Sequence, residues 1–361
     1  MKIGWFTDTF YPQYNGVVTS IESFGKELTR RGYDIEIFSP KSDRKECNGM
    51  KVHSVPSIPF RPYPGYKVAI PLMLKVPKLD IMHTHAPFTM GTYGLRVAKR
   101  QGIPKVGTVH TMFSEYVRYL TKRRQEQMKG IAWKYIRYHY NKYDVLTTPS
   151  KAMAQTLEEH GVKPRIEVIP NGVDLKFLKP VKNAKEKLGL PDEKIILTFG
   201  RVSFEKNIDQ IIKAMKSVPD SHLVVAGSGP SLEELKKLPG KLGIKNRVTF
   251  TGFVDGKLKS TYFSAADAFV IASNSETQGL VVLESMACGT PVIGADAMAL
   301  PELIENGKNG WLYKHNDISD LTKKMKASKK TAPLSRQSIK TANKFSIKKM
   351  TDKLEHLYND L

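Results

Sequence analysis

Cysteine is almost missing from this 361-residue chain: Cys47 and Cys288 stand far apart, and neither sits in a metal-type cluster. That excludes a disulfide framework and gives a zinc site no support, so a reducing cytoplasm is the expected compartment. No apolar run reaches the roughly 18 residues that a membrane-spanning helix needs, and MKIGWF opens directly into strand-like sequence instead of a charged-then-apolar leader. The chain is therefore expected neither to span nor to cross a membrane on its own signals. Acidic residues are scarce, 35 against 57 Lys and Arg, for a formal net charge of +22. Such an excess predicts attraction to a polyanion, either nucleic acid or an anionic lipid surface. Gly-x-Gly-x-x-Gly is absent as well, which argues against an NAD-type dinucleotide site.

What is present has the composition of a globular protein, and the length suits two domains of ordinary size better than one core. Short apolar segments alternate with longer helical patterns throughout. In the first half KIGWFT, IEIFSP, DIMHTH, KVGTVHT and VLTTPS read as strands; in the second, IILTFG, HLVVAG, VTFTGF, AFVIAS and TPVIGA repeat the pattern. Strand and helix in alternation predict parallel sheets built from βαβ units, so the fold class is α/β, with two doubly wound Rossmann-like domains. The expected division is 1–170, 171–340 and a C-terminal helix within 341–361 that can pack back on the first domain, with PNGVD (170–174) as the turn between halves. Two such sheets with their strand ends facing would form an interdomain cleft.

Between Arg96 and Lys142 only Glu115 and Glu126 are acidic, while Arg118, Lys122, Arg123, Arg124 and Lys129 interleave with Trp133 and several tyrosines. Trp and Tyr sit at headgroup level and each nearby cation contributes about 1 kcal/mol on anionic lipid, so the cluster as a whole reads as a membrane interface, with solvated helix faces and half-buried tyrosines the competing account at any one position. A second basic run, Lys323 to Lys349, has no acidic residue. Neither run carries a nucleic-acid motif, and nucleic-acid binding is the remote alternative.

Ligands of open α/β sheets bind at the carboxyl ends of strands, so polar residues there are the candidates. In TDTFYPQYNGV (7–17), Asn15-Gly16 opens a helix whose free N–H groups suit a phosphate; a plain tight turn is the competing account. In FGRVSFEKN (199–207), Arg201 and Lys206 flank a turn into a helix and suit two linked phosphates; ordinary surface cations are the competing account. The turn AGSGP (226–230) reads mainly as turn chemistry. In SNSETQGLVVLESMACG, Glu276 is expected just outside a helix that begins near Gly279 and ends at Gly289, with Glu284 on a helix face shared with Leu280 and Leu283. A carboxylate so placed needs hydrogen bonds, which sugar or ribose hydroxyls supply; the competing account has Glu276 only complementing the helix dipole and Glu284 facing solvent. Eight residues, mostly helical at about 1.5 Å each, separate the two carboxylates by roughly 10 Å, too far for the acid and nucleophile of a retaining glycosidase. His110, ending KVGTVHT, is expected to face the ligand; a satisfied core histidine is the other account. His83 and His85 are expected on opposite faces of one strand, and no metal is assigned.

Together these residues resemble the retaining glycosyltransferases of family 4, which have the GT-B fold of two facing Rossmann-like domains. The most specific element is E-x7-E, Glu276 to Glu284, supported by GRVSFEKN, PNGVD and CGTPVIGAD. The resemblance implies that Gly16, Arg201 and Lys206 hold a donor diphosphate with the amides around Gly279 and Leu280. It implies further that Glu276 contacts donor-sugar hydroxyls, Glu284 the ribose, and His110 the sugar near its 6-hydroxyl. Many members carry Gly-Gly where this chain has Asn15-Gly16; the phosphate glycine is kept. TDTFYPQYNGVVTSI, HTHAPFTMGTYG and GTVHTMFSEYVRY look most like the members that put glucose from UDP-glucose on diacylglycerol at the 3-position, related in layout to phosphatidylinositol mannosyltransferases. That likeness implies a peripheral enzyme of the cytoplasmic membrane face with a nucleotide-sugar donor, a lipid acceptor, an anionic membrane surface and no metal cofactor. Transfer to a soluble sugar or polysaccharide precursor is the alternative.

Overall fold

The structure, a computed structural model, describes residues 1–13, 15–60, 66–72, 75–112 and 125–361. It divides into two compact units: Met1–Gly172 together with Ile347–Leu361, and Val173–Ser346. The sequence boundaries of 170 and 340 therefore move to 172 and 346, and residues 341–346 stay with the second unit.

In the first unit the strands are β1 (Lys2–Phe6), β2 (Asp34–Pro40), β3 (Glu46–Cys47), β4 (Met50–Val55), β5 (Ser57–Pro59), β6 (Lys67–Ala69), β7 (Ile81–Thr84), β8 (Lys105–Thr108), β9 (Val145–Thr148) and β10 (Arg165–Val168). β5 and β6 form a separate hairpin. The others make one sheet in the order β10-β9-β8-β7-β1-β2-β4-β3, parallel except for β3 against β4. Chain order reverses between β1 and β7, so this is a doubly wound sheet with its switch point there. β1 is apolar almost end to end because helices cover both faces, and Trp5 and Phe6 are fully buried.

Helix α1 (Gly16–Arg30) follows β1. Val18, Ile21, Phe24 and Leu28 recur at helical spacing and are its buried stripe. Helices α2 (Thr89–Gln101), α3 (Gln125–Tyr140) and α4 (Lys151–Glu159) follow β7, precede β9 and follow β9 in turn. Among the described residues no neighbouring side chain of the same segment caps α2. Asp8 does so from the end of β1, accepting hydrogen bonds from the Phe88, Met90 and Gly91 amides and from Thr89 Oγ1 at 2.8–3.4 Å. Burial nevertheless pushes the Asp8 carboxyl up to about 6, against those four hydrogen bonds.

The last helix, α7 (Ile347–Asn359), belongs to the first unit. It buries Met350, Leu354, Leu357 and Tyr358, and its Glu355 meets Arg31 Nη1 at 2.6 Å. Gly172 ends the main part of that unit, and a Cβ there would stand 2.4 Å from Ile347 Cα. Only glycine allows the chain to pass the start of α7 so closely.

The second unit holds β11 (Lys194–Phe199), β12 (Ser221–Ala226), β13 (Val248–Gly252), β14 (Ala268–Ile271), β15 (Val292–Ala295) and β16 (Gly310–Tyr313), with helices α5 (Ile208–Met215) and α6 (Leu280–Ala287) among its helices. Its order is β13-β12-β11-β14-β15-β16, all parallel, with the switch point between β11 and β14. Both halves are thus the doubly wound α/β units expected from the alternating pattern. The ten segments read as strands are strands; β3, β4, β5, β6, β10 and β16 escaped that reading.

Candidate active site

The candidate residues lie at strand ends: after β1 and β8 in the first unit, and at the switch point in the second. In the second unit the loops follow β11 and β14, and they are tied together. Asn207 takes the left-handed conformation, φ 50°, which asparagine tolerates better than most residues. Its Nδ2 donates to the Ala272 carbonyl at the end of β14 at 3.0 Å. This draws the turn before α5 against the loop after β14 and brings Lys206 Nζ to 2.5 Å from Glu276 Oε1. The carboxylate is largely covered while the ammonium stays about one-third exposed. The Ala299 amide donates to the Glu276 carbonyl at 3.3 Å and holds the loop from its other side.

Arg201 Nη2 donates to Glu205 Oε1 at 2.6 Å, and Ser203 Oγ donates to the same oxygen. Glu205 is buried, so the guanidinium is aimed by a carboxylate four residues away instead of floating on the surface. Glu284 lies on α6, buried, with Lys259 Nζ at 2.7 Å. α6 starts from Gly279, left-handed at φ 82°, and no side chain caps its first turn among the described residues. Negative charge on a ligand is favoured at such a helix start.

The glycine turn after β12, read from sequence as turn chemistry, has a sharper task. A Cβ on Gly227 would stand 1.8 Å from the Gly200 carbonyl oxygen, and one on Gly229 2.3 Å from that of Val202. The loops after β11 and β12 zip together through Gly200 N to Ala226 O and Val202 N to Ser228 O, both 2.9 Å. Gly227→Ala, at φ 145°, is therefore expected to destabilise the fold by about 3 kcal/mol or more and to displace the Arg201 loop. The shift of the urea midpoint checks this.

In the first unit, Gly16 is the first residue of α1. Asn15 caps the helix, its Oδ1 accepting from the Val17 and Val18 amides at 3.0 and 3.1 Å. Two of the N–H groups that sequence reasoning left for a phosphate are thus taken by the cap. Among the described residues nothing lies within 4 Å of the Cβ position of Gly16, so its backbone can be approached.

His110 follows β8, and its Nε2 is 3.0 Å from His85 Nδ1. His83 and His85 do not point to opposite faces. Residues two apart on a strand share a face, and the two rings stack at 4.5 Å. His83 bonds Tyr358 through Nδ1 at 2.5 Å and Thr108 through Nε2 at 2.7 Å. Desolvation pushes the imidazoles of His83 and His110 down to about 3 and that of His85 well below its ordinary value. All three are neutral at pH 7, and His110 serves as a hydrogen-bonding group rather than as a cation.

The residues expected at a membrane divide. Arg118, Lys122, Arg123 and Arg124 lie outside the described residues. On α3, Lys129 pairs with Glu126 at 3.5 Å, and Trp133 stacks on His160 at 3.6 Å between ring centroids. Ile131, Tyr135 and Tyr138 on the same helix are exposed. No helix among the described residues is long and apolar enough to cross a membrane.

Sequence reasoning missed Lys259 and Glu205 as partners of the site residues. Glu205 stands inside the motif GRVSFEKN and was legible as an i,i+4 partner of Arg201. Lys259 is 25 residues from Glu284 and carries no local signal.

The chain is thus two doubly wound α/β units, with cations and carboxylates gathered at the strand ends of the second. Residues 14–177 match the model of Glycosyltransferase Family 4 and residues 180–345 that of Glycosyl transferases group 1. The chain is 37% identical to the alpha-monoglucosyldiacylglycerol synthase of Streptococcus pneumoniae over 87% of its own length and 75% of the relative's. It is 30% identical to the enzyme of the same name from Acholeplasma laidlawii over 88% of its length and 86% of the relative's. The fold also matches the Anabaena protein HepE, solved with UDP-glucose, with a TM-score of 0.78 at 20% identity, covering all of both chains. This chain belongs to the family 4 and group 1 glycosyltransferases of the GT-B fold.

Proposed function

We propose that the protein transfers glucose from UDP-glucose, with retention, to a diacylglycerol-type lipid at an anionic membrane surface. The observation that carries the transfer chemistry is the Lys206–Glu276 pair at the switch point of the second sheet, with Arg201 held by Glu205 in the loop after the same strand. In this reading Glu276 grips donor-sugar hydroxyls, and Glu284 accepts from the ribose. Arg201 and Lys206 hold the diphosphate with the Gly279 and Leu280 amides, Gly16 offers its backbone to the same group, and His110 bonds the sugar near its 6-hydroxyl.

The bond from the anomeric carbon to the diphosphate oxygen breaks while the acceptor oxygen attacks from the same side. The acceptor proton passes to the departing diphosphate. Two fixed cations oppose the negative charge that develops there, a contribution realised mainly in the transition state. The reading calls on no metal ion.

The lipid acceptor is supported by the names of the two relatives and by the exposed Ile131, Tyr135 and Tyr138 on the basic helix α3. Aromatic and apolar groups among lysines and arginines suit a headgroup layer. The test follows radiolabelled glucose from UDP-glucose into organic-extractable product, using diacylglycerol vesicles with and without anionic lipid. Label in the extract that depends on the anionic lipid is the expected result. Label that enters only a soluble sugar acceptor would move the enzyme to the other acceptor class.

A further inference from the structure

His85 has no role in the reading above, yet it is the best-placed neighbour of His110. It is buried, its Nδ1 is 3.0 Å from His110 Nε2, and the two rings lie 20° from parallel. Between two neutral imidazoles that contact holds one proton, and the surroundings decide whose it is.

Among the described residues the other nitrogen of His85, Nε2, is buried and has no hydrogen-bond partner. Were the proton on Nε2, a buried N–H would meet no acceptor while Nδ1 consumed a proton from His110. With the proton on Nδ1, the N–H is used on His110 Nε2, and only a bare ring nitrogen is left. Orphaned buried N–H groups are the rarer case in folded proteins. His110 then accepts at Nε2, and its own proton sits on Nδ1.

The ring of His85 is held in place from its other side. The Trp5 indole can only donate, and it does so to Tyr358 Oη at 3.1 Å, which sends the Tyr358 proton to His83 Nδ1. His83 accordingly donates from Nε2 to Thr108 Oγ1, and its oriented ring stacks on His85 at 4.5 Å. The returning helix α7 supplies Tyr358, so it takes part in this arrangement as well as in packing.

We propose that His85 is a positioning residue that fixes His110 as the Nδ1–H tautomer and so presents an N–H donor to the sugar. The inference rests on the reading that His110 touches the donor. The tautomer preference of one imidazole is set by the hydrogen bond its other nitrogen makes.

The test is long-range proton–nitrogen NMR of the full chain labelled at histidine, at neutral pH and without substrate, alongside transfer rates. His110 is expected as Nδ1–H in the wild type. His85→Asn, whose amide stands near the Nδ1 position, is expected to keep that form and most of the rate. His85→Leu is expected to give mixed tautomers at His110 and a rate lower by about 10-fold, the scale of one lost hydrogen bond. A wild-type His110 protonated on Nε2 overturns the proposal whether or not any variant folds. An unchanged His110 tautomer in His85→Leu also overturns it, even with a lowered rate, because His85 would then act by packing alone. Full transfer by His110→Ala would instead refute the role given to His110, and the wild-type spectrum would still decide the tautomer.

Discussion

Glu276→Ala is expected to lower the rate of glucose transfer by about 100- to 1,000-fold, the range typical of losing one preorganised polar contact in a transition state. Two effects act together. On the proposed reading the sugar loses an acceptor that the loop after β14 holds in place, and Lys206 loses the carboxylate that aims it. Stability should change little, by about 1 kcal/mol or less, because the Lys206 side chain is 32% exposed and water can replace its partner. Glu276→Gln keeps an oxygen acceptor but not the charge and should fall between wild type and alanine. Lys206→Ala combined with Glu276→Ala should cost less than the sum of the single losses, since the residues act as a pair. Vesicle-based transfer rates and thermal melts on the same preparations decide the matter. An alanine variant with wild-type rate would sink the assignment of Glu276.

Acidification should destabilise the first unit steeply below about pH 6.5. Its imidazoles titrate far below their ordinary range: His83 and His110 are down to about 3 and His139 to about 4, with desolvation the main cause. Above about pH 6.5 these groups are neutral in both folded and unfolded chains and contribute nothing to the pH dependence. Below it the unfolded chain binds protons that the folded chain refuses, so stability is lost as pH falls toward the folded value. Each such histidine contributes about 1.4 kcal/mol per pH unit in that window. Asp8 works in the opposite direction. Its folded value of about 6 lies above that of an ordinary aspartate, so the folded chain takes up the proton first, and stability returns between about pH 6 and 4. One aspartate offsets about one histidine over that narrower range, and the net slope stays destabilising. Urea midpoints at pH 7.5, 6 and 5 test this, with His83→Gln expected to flatten the slope by one histidine's share. Midpoints that stay level from pH 7.5 to 5 would refute it.

The central strands were legible because burial on both faces leaves a short, nearly continuous apolar run ending in polar residues. β1 and β14 read this way without ambiguity. β10 and β16 lie at sheet edges, are four residues long and are only partly buried, so their runs are diluted by Arg165, Glu167 and Gly310. His83 and His85, expected on opposite faces, share one because of the strand's own period of two. Side chains two residues apart stand together, and the stacked rings follow from that rule.

Periodicity by itself determined two doubly wound units, and the spacing of Glu276 and Glu284 around a helix start singled out the loop proposed to carry the chemistry, since both depend on residues near one another in the chain. Only the tertiary structure decided the partners. Lys206 reaches Glu276 across 70 residues because Asn207 turns left-handed and grips the end of β14. Tyr358 reaches His83 across 275 residues because α7 returns to the first sheet. Such pairings depend on where separate loops and helices come to rest, and no local pattern of side chains encodes that.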